Sequence, residues 1–129
     1  METAFEIGPI IDLPFKAGAD LSAKQYHQVE MTATGIVNVC NGAGDAPIGV
    51  LQNKPKTNEA AIVRMLGISR LVADAALAVG DNYGTSADGQ AVAKTAQNDL
   101  ILGRILTAAG AAGEIATGTV NGLSLVKLP

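Results

Sequence analysis

Short apolar runs, each cut off by a turn-forming cluster, recur along this chain and restrict what it can fold into. Residues Tyr26 to Thr32 alternate polar and apolar side chains, the period-two pattern of a half-buried strand. Ile36 to Val39 is a second short strand, Cys40 to Asp45 a turn, and Pro47 to Leu51 a third strand. Asn53 to Asn58, with Pro55 between two lysines, reads as a solvated loop. Ala60 to Leu66 alternates again, Gly67 punctuates, and Ile68 to Ala73 continues extended. The alanines of Asp74 to Val79 suit a helix by propensity, but Gly80 and Asp81 stop it so soon that a strand or single turn fits equally well. Asp88-Gly89 marks a hairpin within Tyr83 to Gln90, leading to a strand at Ala91 to Ala93. Ile101 to Leu106 is extended. A terminal hairpin is expected from Glu114–Val120 and Leu123–Leu128 across Asn121-Gly122. Such a succession predicts a mainly β fold, a small sandwich- or barrel-like body with at most one or two short helices.

The core of that body must be built from small side chains. In 129 residues there is no Trp, and the aromatics are Phe5, Phe15, Tyr26 and Tyr83 alone. Aromatic burial gives the largest gain per residue and alanine little, so an oligomeric interface would help such a chain. The length fits one domain. Net charge is −3, and the nine Lys and Arg are scattered without a stripe, which disfavours direct nucleic-acid binding. Cys40 is alone, so no intramolecular disulfide can form. The opening residues lack the cationic start of a secretory signal, and the small-residue run from Leu71 to Gly80 is broken by Asp74. The expectation is a soluble protein, cytoplasmic when made, with no membrane partner.

The N-terminal segment stands apart. Phe5, Ile7, Ile10, Ile11, Leu13 and Phe15 are apolar, while Gly8, Pro9 and Pro14 forbid a continuous helix or a central strand. Residues 1–18 therefore read as an extended arm and 19–129 as one β-rich domain. The arm must bury its anchors either against its own sheet or on a neighbouring subunit.

Chemistry is sparse. His27 is the sole histidine and sits in a strand among polar neighbours, with no nucleophile elbow around any serine. One His and one Cys cannot build a typical structural zinc site. Asp81 and Asp88 miss the spacing of an EF-hand loop, and turn formation accounts for them. In Asn41-Gly42-Ala43-Gly44-Asp45-Ala46-Pro47 a proline replaces the last glycine of a dinucleotide fingerprint and a strand follows. No catalytic, metal or cofactor site is expected, and the chain does not read as an enzyme.

The succession of segments resembles the capsid decoration, or cement, proteins of tailed phages. Ala19-Asp20-Leu21-Ser22-Ala23-Lys24-Gln25-Tyr26 is followed by Pro47-Ile48-Gly49-Val50-Leu51-Gln52-Asn53, then Gly67-Ile68-Ser69-Arg70-Leu71-Val72 and Ala78-Val79-Gly80-Asp81. Thr85-Ser86-Ala87-Asp88-Gly89, residues 103–110 and Gly113-Glu114-Ile115-Ala116 complete the pattern. The resemblance implies a β-tulip body on the outer surface of the assembled head, bound where major capsid subunits meet and bracing the mature shell. It implies homo-oligomers, trimers favoured over dimers, and an N-terminal arm reaching over the major capsid protein. Phe5, Ile7, Ile10, Ile11, Leu13 and Phe15 would then be the capsid-binding anchors. The competing readings are another β-rich virion module of tail or fibre, and a small ligand-binding domain, which would need a concave polar pocket.

Overall fold

The computed structural model describes residues 9–129, and every regular element among them is a strand. The first five are β1 (Ile11–Ala17), β2 (Gln28–Ala33), β3 (Ile36–Val39), β4 (Gly49–Leu51) and β5 (Ala60–Val72). The rest are β6 (Asn82–Thr85), β7 (Ala91–Ala93), β8 (Leu100–Ile101), β9 (Gly103–Thr107), β10 (Ile115–Asn121) and β11 (Val126–Lys127). The mainly β expectation holds. No helix forms at 74–79, because tertiary pairing claims those amides. Asp74 N–H donates to Ala91 O and Leu77 N–H to Ala109 O, with Leu77 buried. A run that short cannot repay helix nucleation on its own.

The sheet order β1-β3-β2-β4-β5 closes on itself, since β1 also pairs with β5, and the result is a five-stranded barrel. Alternate residues fill it: Ala17, Val29, Val37, Leu51, Ala61 and Val63 are buried inside, with Phe15 and Met65 packed against them. β5 is longer than the barrel needs. Its second half leaves the barrel and pairs with β10, continuing through β9 and β6 to β7 as an open sheet. The corner is Gly67, whose φ of 131° a side chain would strain. Beyond it the strand is held against the barrel wall, with Gln52 Nε2 donating to Ser69 Oγ at 2.8 Å and Val72 N–H to Tyr26 O at 3.3 Å.

A second core lies under this open sheet. Leu71, Leu102, Ile105 and Tyr83 are its large members, and Val50 of the barrel wall joins it. Burying each of the aliphatic ones contributes about 1.5–3 kcal/mol. Tyr83 has no exposed surface, and its hydroxyl donates to Thr119 O at 2.6 Å. Gly103 permits this packing, for a Cβ there would run into the backbone carbonyl of Thr119.

Two expectations need correction. The terminal hairpin does not form: β11 pairs with β8, because β10 already has β5 on one edge and β9 on the other. Pro14 does not confine its segment to an edge of the sheet, since β1 pairs with β3 as well as with β5. It sits opposite Ile62, whose N–H goes to Asn53 Oδ1 and whose carbonyl accepts from Gln52 N–H, so no ladder hydrogen bond is lost.

Candidate functional site

The described anchors of the N-terminal segment lie on β1 or just before it. Phe15 points inward with Ala17 and is half-buried on the barrel core. Ile11 is half-buried opposite Leu66. Leu13 and Ile10 remain 42% and 47% exposed, and Met31 on β2 is 45% exposed. Phe5 and Ile7 lie outside the described residues. The structure thus places Ile11, Leu13 and Phe15 on a strand of the body's own sheet, with Leu13 and Ile10 still offering apolar surface. Asp12, on the outer face of β1, makes a two-pronged ion pair with Arg64: Nε to Oδ1 at 2.9 Å and Nη2 to Oδ2 at 3.0 Å. That pair locks β1 to β5.

His27 makes no hydrogen bond to a nucleophile among the described residues. It is buried, and burial pulls its pKa below the ordinary 6.5. Nδ1 lies 3.2 Å from Gln25 O, and the backbone N–H donates to Lys24 O.

One cluster escaped the sequence reading. Glu30 on β2, Cys40 after β3 and Asp45 in the following loop bring a carboxylate, a thiol and a second carboxylate within 4.8 Å of one another. Asp45 is fixed by accepting from the N–H groups of Asn41 and Gly42. Burial and the hydrogen bond to Asp45 raise the Glu30 pKa, while that same bond lowers the Asp45 pKa, so Glu30 gives up its proton at higher pH than Asp45. Burial pushes the Cys40 thiol up to about 12. A thiol held protonated is a poor nucleophile. The arrangement works as a clasp for the loop. Its members are separated by ten and five positions in the sequence, so no local motif announces it.

Two open clefts lie among the described residues. A cleft of about 310 Å³ lies in the crook of β5, between the barrel wall and the folded-back half of the strand, and is lined by Tyr26, Gln52, Arg64, Ile68 and Arg70 among others. Another of about 290 Å³ lies by Ala43, Asn98 and Lys127. Neither brings together an acid, a base and a nucleophile.

No protein-family profile matches the sequence, and no curated protein matches it significantly. The fold does match a solved structure, the N base of the head fibre protein gp8.5 of bacteriophage phi29. The TM-score is 0.69 at 18% identity, over 94% of this chain and 99% of that one. The chain therefore shares its whole fold with a phage head-fibre base.

Proposed function

We propose that this chain is a structural protein of a phage virion, seated on the outer surface of the capsid. The observation that carries the reading is the end-to-end fold likeness to a head-fibre base. Two versions stand on that likeness equally: a decoration protein that bridges major capsid subunits and stabilises the mature head, and the base of a fibre on the head. In both, the major capsid protein is the partner and a homo-oligomer, a trimer first and a dimer second, supplies the affinity. Several modest contacts on one oligomer multiply without any deep pocket. Ile10 and Leu13, exposed on or beside β1, are the described contacts of this reading, with Phe5 and Ile7 upstream.

Gold-labelled antibody against the chain, applied to intact virions, tests the placement. Label distributed over the head supports the proposal, and the number of copies per head separates dense decoration from sparse fibres. Label on the tail, or none on virions, overturns it.

A further inference from the structure

The folded-back half of β5 carries a feature that its packing role does not use. In this half, residues 67, 69, 71 and 73 direct their backbone groups to β10, as the Ala73 N–H bond to Glu114 O fixes the alternation. Residues 68, 70 and 72 therefore direct theirs away from β10, into the crook. Val72 N–H is taken by Tyr26 O. Two of the three carbonyls on that side are capped by side chains: Ile68 O accepts from Arg64 Nη1 at 2.8 Å, and Arg70 O from Ser69 Oγ at 2.8 Å. The N–H groups of Ile68 and Arg70 have no acceptor among the described residues.

An ordinary open edge offers donors and acceptors alternately and invites another strand. Here the two acceptors that line the cleft, Ile68 O and Arg70 O, are already engaged, and Val72 lies outside its lining. What is left is two amide donors two residues apart on one edge, beside the exposed guanidinium of Arg70, in a cleft with no acidic side chain in its lining. Arg64 is already committed to Asp12 and Ile68 O, whereas Arg70 has no carboxylate partner among the described residues. A group that only accepts hydrogen bonds and carries negative charge complements that set.

We propose that the crook of β5 is an oxyanion site, binding a carboxylate or phosphate group through the Ile68 and Arg70 amides and the Arg70 guanidinium. It is independent of where the protein sits on a virion.

The test is a titration of the full chain, labelled with ¹⁵N, followed by amide shifts at constant ionic strength. The probes are inorganic phosphate and acetyl-Gly-Glu-Gly-amide, with chloride as the control. Saturable shifts centred on Ile68 and Arg70 support the site, and the probe that produces them tells phosphate from a protein carboxylate. Arg70→Gln should weaken binding about tenfold, the effect of losing one charge-assisted hydrogen bond, with Arg70→Lys between the two. Non-saturable shifts, shifts spread over all lysines and arginines, or an unchanged affinity in Arg70→Gln would overturn it. So would slow hydrogen exchange at both amides in the free protein, since that would mean the chain already supplies their acceptor.

Discussion

The barrel and the open sheet share one strand but are stabilised differently. The barrel has no free edges within its ring, and its fully buried side chains are Ala, Val, Leu21 and Leu51, with Phe15, Ile48 and Met65 packed against them. Closure contributes as much as side-chain bulk there, because every barrel strand has hydrogen-bonding partners on both sides. The open sheet has no such closure and relies on larger packing units, above all Tyr83 with Leu71, Leu102 and Ile105. A chain poor in aromatics has placed its fully buried one where the backbone does least. The lesson is that closure lets a core of small side chains suffice.

Substitutions can break that contrast. The largest expected effect is Tyr83→Ala, which should cost about 3–5 kcal/mol by urea unfolding, through lost burial and the cavity left behind. Val63→Ala in the barrel should cost about 2 kcal/mol. An equal or larger loss at Val63 would mean that the barrel, not the open sheet, depends on bulk. Gln28 joins the two regions: it is fully buried on β2, and its Nε2 donates to Gly84 O at 2.9 Å on β6. Its Oε1 has no partner, so Gln28→Met removes one satisfied and one orphaned atom. The net loss should be about 1 kcal/mol, with Gly84 O left unpaired. Asp12→Asn, at a partly exposed ion pair, should cost about 0.5 kcal/mol and less at high salt.

The last prediction is a slope rather than an offset. His27 titrates below its ordinary 6.5 in the folded protein, so the unfolded chain takes up the proton first. Its contribution is complete above about pH 6.5 and is lost as pH falls from there through the folded pKa. His27→Gln should flatten that part of the stability profile. A profile unchanged by the substitution would place the pH sensitivity elsewhere.

Much of this was legible in the sequence, and what was missed has a common cause. Period-two alternation located β2 and the first half of β5, a short strand was expected where β3 forms, and Asp88-Gly89 marked the turn between β6 and β7. Yet Gly67 reads as a break between two strands, whereas it is a corner within one. Asn121-Gly122 is a strong local hairpin signal that lost to long-range pairing of β10 on both edges. Barrel closure, the Glu30–Cys40–Asp45 clasp and the crook of β5 each depend on residues brought together from distant positions, as the 52-residue separation of Asp12 and Arg64 illustrates. Periodicity reports which face of a strand is buried, not which strand lies beside it.

The central claim, a protein that binds the assembled phage head, is tested most directly by co-sedimentation. The purified chain is mixed with undecorated heads of its parent phage, before and after shell expansion. The account predicts saturable binding to expanded heads. No binding to either form would contradict it.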